Sequence, residues 1–463
     1  KAVSYTLTDE WKPFFKNSVG LTGVTDENVN DKANDYVSKL KDSTLVAFAT
    51  KASNWAQTKA NNITADATAT VSADASNGKY TATFTGLGYG YYVVAVPGAT
   101  LANAKSQYAT LVSVHSTKVD ADIKGDLPTV DKKVQVDGTG KDATDAKIGD
   151  TLTFTLTSTI PDMSAYDTYT FNFKDTLSKG LTFGQVKSVK VENVTLTENT
   201  DYTVTTPTAS NNNTLTVAMK DFKTKQQANA GKKITVTYTA TLNENAVVGG
   251  AGNVNSAKIQ YSNNPSTNGT GESEPSKVRV FTYGFTVDKY TGDQYTDAAT
   301  RLAGAEFTLA HKDGSAISFV QVSAGSATAN AVYRVAKAGE TGTTTITTPA
   351  NGKVVFEGLK NGEYTLTETE APAGYNKLAS AIGVKVNGQN NGTDTTNATV
   401  TITYNNDNGN DYNQTASNGV IPVQNKSGAI LPGTGGMGTI AFTVIGVLVI
   451  ALGVAWTLKR KNA

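Results

Sequence analysis

Apolar and polar residues alternate with a period of two along most of the chain. Thr151-Leu152-Thr153-Phe154-Thr155-Leu156-Thr157 and Lys233-Ile234-Thr235-Val236-Thr237-Tyr238-Thr239 put every second side chain on one face, the pattern of a half-buried strand. Asn77-Gly78, Asp137-Gly138, Asp313-Gly314, Asn351-Gly352 and Asn361-Gly362 mark turns between such strands, because these residues tolerate the backbone that tight turns need. Many short strands with turns between them predict β-sandwiches of immunoglobulin-like architecture. Near the N-terminus the period changes. Val29, Ala33, Tyr36, Val37 and Leu40 recur at helical spacing, and Leu45, Phe48, Ala52 and Trp55 continue the stripe. Helical segments inserted into the first domain are expected there, with that stripe as their core face. The chain closes on an apolar run from Thr439 to Leu458 followed by Lys459-Arg460-Lys461. A helix needs about 20 apolar residues to cross a bilayer, and cations that follow such a run stay in the cytoplasm. A transmembrane helix is therefore expected, with the preceding chain outside the cell.

A length of 463 residues exceeds one core and suggests about three domains. The polar stretch Asp122 to Pro128 and the stretch Ser262 to Pro275 read as boundaries. The expected organisation is mainly β: residues 1–124, 125–278 and 279–428 as three tandem immunoglobulin-like sandwiches, then a tail from 429 to 463. With 41 Lys+Arg against 40 Asp+Glu, charge offers nothing to attract nucleic acid. Cysteine is absent. An exported protein commonly stiffens itself with disulfides, so this one does without or uses another cross-link. His115 and His311 have no ligand-spaced partners, and no metal or cofactor is expected. No apolar leader precedes Lys1, so the chain is expected to begin after signal-peptide removal.

Leu431-Pro432-Gly433-Thr434-Gly435 stands just ahead of the apolar run. With that run and the basic tail, it resembles the LPXTG cell-wall sorting signal of Gram-positive bacteria. The resemblance implies cutting between Thr434 and Gly435 by a sortase and transfer of the chain to the cell surface. Pilus-specific and housekeeping sortases and peptidoglycan are the implied partners, and the membrane helix a transient anchor.

The chain also echoes itself. Asn77-Gly78-Lys79, Phe84-Thr85-Gly86-Leu87 and Gly90-Tyr91-Tyr92-Val93-Val94-Ala95-Val96 return as Asn351-Gly352-Lys353, Phe356-Glu357-Gly358-Leu359 and Gly362-Glu363-Tyr364-Thr365-Leu366-Thr367-Glu368, so the first and third domains are read as variants of one sandwich. Glu368 shares a strand face with Tyr364 and Leu366, whereas the echo puts Val96 there. A carboxylate on a core face is costly without partners. The run Tyr364-Thr-Leu366-Thr-Glu368-Thr-Glu370-Ala371-Pro372-Ala373-Gly374-Tyr375 resembles the E-box of collagen-adhesin B-type domains in Gram-positive pilins and adhesins. That resemblance implies a spontaneous isopeptide bond between Lys289 and Asn425 promoted by Glu368. A neutral lysine amine attacks the carboxamide, a proton-bearing carboxyl polarises its carbonyl, and ammonia leaves. Val96 implies no such bond in the first domain.

The middle domain resembles a second isopeptide-forming type of pilin domain. Its cues are Val130-Asp131-Lys132-Lys133-Val134, Phe173-Lys174-Asp175-Thr176-Leu177 and Asn253-Val254-Asn255-Ser256-Ala257. Lys132 bonded to Asn255, with Asp175 as the carboxyl, is the implied set. Lys133 points to the opposite face from Lys132 and only one can face the core; Asn253 and Asn255 share a face and compete. Backbone pilins add a lysine that attacks the sortase-bound threonine of the next subunit, and Lys124 holds the corresponding place, with Lys118 its nearest competitor. The reading is a backbone pilin: a structural subunit that polymerises head to tail with identical copies and contributes to adhesion. A monomeric wall-anchored adhesin for a host protein and an ancillary pilin are the alternatives. No catalytic triad, metal cluster or phosphate loop marks an enzyme.

Overall fold

The computed structural model describes residues 5–74, 79–96, 109–121, 128–163, 166–262, 269–296, 299–389, 397–405 and 411–428. The sorting motif from Leu431 to Gly435, the apolar run after it and Lys124 lie outside them. The chain divides into two compact units that part between Tyr283 and Gly284, with residues 358–360 and 388–400 counted with the first. Strands dominate both. Among the described residues no helix is long and apolar enough to cross a membrane.

The first unit opens with three helices: α1 (Lys12–Asn17), α2 (Val29–Ser38) and α3 (Asp42–Gln57). Pro13 sits in the first turn of α1, where its missing N–H removes no helical bond. The predicted stripe is the core. Val29 and Ala33 of α2 and Phe48 and Ala52 of α3 are buried against Phe14 and Phe15, with Tyr36, Val37, Leu40 and Trp55 at the margin. The helices precede every described strand of this region. Its main ladder pairs β1 (Gly90–Ala95) with β2 (Ala109–Val114) antiparallel, and Val93 and Leu111 pack onto the helical core. Val96 follows directly on β1. Gly86 and Gly358, the pivots of the internal echo, both hold positive φ, 76° and 83°, so both copies turn on a residue without a Cβ.

The rest of the unit is a sandwich of two sheets. One runs, in order, 194–195, 181–191, β6 (Lys233–Leu242), β4 (Thr151–Thr159), β3 (Asp131–Val136), 139–141. The other runs 202–205, 214–219, β5 (Phe171–Leu177), β7 (Asn253–Ser262), 276–281, 143–145. Both predicted strands are present, as β4 and β6, paired antiparallel with Phe154 opposite Tyr238. The core lies between the sheets and takes alternate residues from each: Phe154, Leu156, Val236 and Tyr238 from one, Phe171, Phe173, Ala257 and Ile259 from the other. At the predicted Asp137-Gly138 turn both residues have positive φ, as a type I′ hairpin requires.

The second unit repeats the plan. Its first sheet contains β8 (Tyr283–Thr291), which pairs parallel with β11 (Val420–Gln424), the last described strand. Its second centres on β9 (Glu306–His311) and β10 (Gly362–Glu370), paired antiparallel. Phe285, Val287, Phe307, Leu309, Tyr364, Leu366, Ile421 and Val423 are buried. First and last strands thus run side by side.

Candidate functional site

Three core stripes of the first unit's sandwich are broken by buried polar residues. Strand β5 buries Phe171, Phe173, Asp175 and Leu177 in alternation. Strand β7 does the same with Asn253, Asn255, Ala257 and Ile259, and β3 with Lys132 and Val134. Lys132, Asp175 and Asn255 are all 0% exposed. Lys132 comes from one sheet, and the carboxyl and carboxamide from the other. Asn255 pairs with Leu177 and Ala257 with Asp175, so the two are diagonal neighbours on adjacent strands. Lys132 Nζ forms a buried ion pair with Asp175 Oδ2.

Tyr238 completes the cluster. Its hydroxyl accepts from Lys132 Nζ at 2.9 Å and from Asn255 Nδ2 at 2.6 Å, and donates to Asp175 Oδ2 at 2.6 Å. The Phe154 and Tyr238 rings stack at 5.3 Å, and the ammonium lies beside the pair, each ring centre about 5 Å from Nζ. Burial lowers the Lys132 amine to about 8, and Asp175 opposes that fall. Burial first, then the Asp175 charge, pushes the Tyr238 phenol well up, which keeps it protonated. Asp175 Oδ1 and Asn255 Oδ1 are buried with no hydrogen-bond partner among the described residues. Taking each charge out of water costs several kcal/mol, and an apolar trio of equal volume is often as stable. Packing alone gives no reason for this cluster.

The geometry separates the sequence alternatives. Lys133 faces outward and pairs with Asp142 at 2.6 Å and Asp131 at 3.3 Å. Asn253 is buried but its amide is spent on backbone: its oxygen accepts from Val247 N, and its nitrogen donates to Val247 O and Val280 O.

The second unit holds a matching set. Lys289 of β8, Glu368 of β10 and Asn425, one residue past β11, are all buried. Lys289 Nζ lies 2.8 Å from Glu368 Oε1 and 5.5 Å from the centre of the Phe307 ring. Glu368 Oε2 accepts from Asn425 Nδ2 at 3.0 Å and from Leu378 N at 2.7 Å. Asn425 Nδ2 also donates to Asn376 O, and its Oδ1 has no partner among the described residues. The backbone sets this meeting: Lys289 pairs with Val423 in the parallel ladder, and Asn425 N donates to Tyr290 O. Burial lowers the Lys289 amine, and Glu368 opposes it. The adjacent Asp288 is buried too, but it lies on the other strand face and is taken by Arg301 Nε at 2.6 Å and Tyr295 OH at 2.8 Å.

Lys118 is exposed, 3.3 Å from Asp120; Lys124 and Leu431 to Gly435 fall outside the described residues. Tyr238, Phe154, Phe307 and the backbone of Asn376 and Leu378 are site components that the sequence reading missed. Tyr238 carried no signal, because tyrosine is ordinary on the apolar face of a strand.

A β-protein with two such clusters and a C-terminal LPXTG motif falls in the class of wall-anchored surface proteins. Family comparison specifies it further. Residues 148–265 match the family described as Gram-positive pilin backbone subunit 2, Cna-B-like domain; 293–401 match the prealbumin-like fold domain; and 423–463 match the LPXTG cell wall anchor motif. The chain is 25% identical over 279 residues to the trypsin-resistant surface T6 protein of Streptococcus pyogenes serotype M6, across 54% of this chain and 44% of that protein. It thus spans less than half of that relative. Similar solved structures include the C-terminal fragment of the major pilin GBS80 of Streptococcus agalactiae (23% identity, 65% of this chain and 100% of that one, TM-score 0.46). Another is the major pilin subunit BcpA of Bacillus cereus (20% identity, 77% and 89%, TM-score 0.43). The chain thus carries a segment similar to a Gram-positive pilin backbone domain and a C-terminal LPXTG cell wall anchor, the features of a secreted, wall-anchored surface protein of pilin type.

Proposed function

We propose that this subunit forms the covalent shaft of the pilus and is stiffened by two self-made isopeptide bonds, Lys132–Asn255 and Lys289–Asn425. In each, the lysine Nζ attacks the asparagine Cγ, the Cγ–Nδ2 bond breaks, and ammonia leaves with one proton that began on Nζ. Asp175 and Glu368 accept and return that proton. Burial favours the neutral nucleophile, and the fixed strands supply effective molarity. A proton on the carboxyl gives the unpartnered asparagine carbonyl the donor it lacks. The reaction is a single self-modification, not turnover. The observation that carries this reading is the recurrence of one buried lysine–carboxyl–asparagine set, once in each unit, in a chain without cysteine.

Sortase chemistry then joins Thr434 of one subunit to Lys124 of the next. A head-to-tail contact of this kind propagates an open filament, and peptidoglycan receives its base. Three domains, 1–124, 125–278 and 279–428, are the proposed links of the shaft, which contributes to adhesion. Immunoblots of boiled cell-wall extracts test the assembly: a high-mass ladder that is lost in Lys124→Ala supports it, and a single monomer band in the unaltered strain refutes it.

A further inference from the structure

Tyr238 touches all three members of the first cluster through a single oxygen. The phenol accepts from Lys132 Nζ and Asn255 Nδ2 and donates to Asp175 Oδ2, which fills the bonding capacity of a tyrosine hydroxyl. Its ring is 0% exposed and stacked on Phe154, so packing fixes where that oxygen sits. The second cluster is wired differently. There the carboxylate reaches the carboxamide nitrogen directly, Glu368 Oε2 to Asn425 Nδ2 at 3.0 Å. Aspartate is one methylene shorter than glutamate, and in the first cluster the nitrogen of Asn255 is met by the phenol instead.

We propose that Tyr238 is a catalytic residue of the Lys132–Asn255 bond: its hydroxyl relays a proton from Asp175 to the departing nitrogen of Asn255. The role presupposes that this bond forms. An amide nitrogen is a poor base, because its lone pair is delocalised into the carbonyl, and here it donates to the phenol. Once Nζ adds to Cγ, the nitrogen becomes an amine whose lone pair is free to accept from the same oxygen. The sequence of transfers balances. Nζ bonds to Cγ and releases one proton to Asp175 Oδ2; Asp175 gives a proton to the phenol oxygen; the phenol hydrogen passes to Nδ2. The Cγ–Nδ2 bond then breaks and ammonia departs. Asp175 and Tyr238 finish with the protons they started with, and one proton has moved from Nζ to Nδ2. The 2.6 Å contacts on both sides of the phenol suit such a transfer, and the high proton affinity that burial and Asp175 give it keeps it from ending as phenolate.

The test is Tyr238→Phe in the full chain, translated without cells and followed by intact mass after the chase. Phenylalanine keeps the ring on Phe154 and removes only the hydroxyl. The expected result is loss of ammonia at the first cluster slowed at least tenfold, with the Lys289–Asn425 deficit arriving on its normal schedule. A rate within twofold of the unaltered chain overturns the relay. If the phenylalanine chain does not fold, 3-fluorotyrosine at position 238 keeps the shape and makes the hydroxyl more acidic; a rate changed more than threefold supports the relay, and an unchanged rate overturns it. An unaltered chain that never loses ammonia at the first cluster overturns the bond itself, and the relay with it.

Discussion

Lys289 and Asn425 are brought together by the chain's first and last strands in the second unit. Val423 is the register partner of Lys289, and two residues on, the backbone of Asn425 is tied to Tyr290 O. A covalent bond between these two side chains closes a loop that contains nearly the whole unit. In a pulled filament, force enters at one end of such a unit and leaves at the other, and the tie blocks β8 from peeling off β11.

Asn425→Ala isolates the worth of that tie, because the Lys289–Glu368 pair stays in place. Cross-linking a loop of 100 residues or more contributes ~5 kcal/mol in the chain-entropy picture. For a unit of this size that is a melting temperature lower by roughly 10–20 °C. Calorimetry checks it, and the same variant should gain about 17 Da relative to its expected mass change, the ammonia retained.

The choice of lysine is tested by Lys132→Ala against Lys133→Ala. The first should abolish the bond and, by leaving Asp175 buried without its cation, destabilise the fold by ~3–5 kcal/mol. The second removes a half-exposed surface pair worth about 0–1 kcal/mol and should leave the ammonia deficit intact. Mass and urea midpoints read both.

Asn253→Ala and Asn255→Ala should separate as cleanly. Asn253 serves Val247 and Val280, so its loss strands the buried Val280 carbonyl and costs about 1–3 kcal/mol, while the bond should still form. Asn255→Ala should lose the bond. Equal masses for the two variants, corrected for their compositions, would contradict the assignment.

A pH signature follows for Asn255→Ala, in which Lys132 stays buried as a free amine. Its folded pKa, about 8, lies below the ordinary 10.5. Below pH 8 the amine is charged in both states and the burial penalty is fully present. Above pH 8 the folded amine releases its proton first, so the unfolded chain binds more protons and stability rises with pH. The unfolding free energy from urea titration should increase by roughly 2 kcal/mol between about pH 7.5 and 9.5. The unaltered chain, whose amine is consumed as an amide, should lack that rise.

Much of this was legible in the sequence because a strand exposes its own errors. Glu368 follows Tyr364 and Leu366, and Asp175 follows Phe171 and Phe173, at positions that period-two burial reserves for apolar side chains. The helical stripe from Val29 to Trp55 was equally open to reading, since its spacing admits one face only. What stayed closed was register. Lys132 and Lys133 differ only in which of them β3 turns to the core, and pairing with the buried Leu156 puts Lys132 on that face. Asn253 and Asn255 share a face, so depth along β7 decides between them. Tyr238 was invisible for the converse reason: its ring belongs in a core, and only the fold shows that its hydroxyl meets three polar atoms.

The most direct measurement is the intact mass of the unaltered chain beside Asp175→Ala and Glu368→Ala. Two bonds remove two ammonias, so the unaltered chain should weigh about 34 Da less than its sequence, and each variant, corrected for its substitution, about 17 Da less. A chain whose mass equals its sequence contradicts the account.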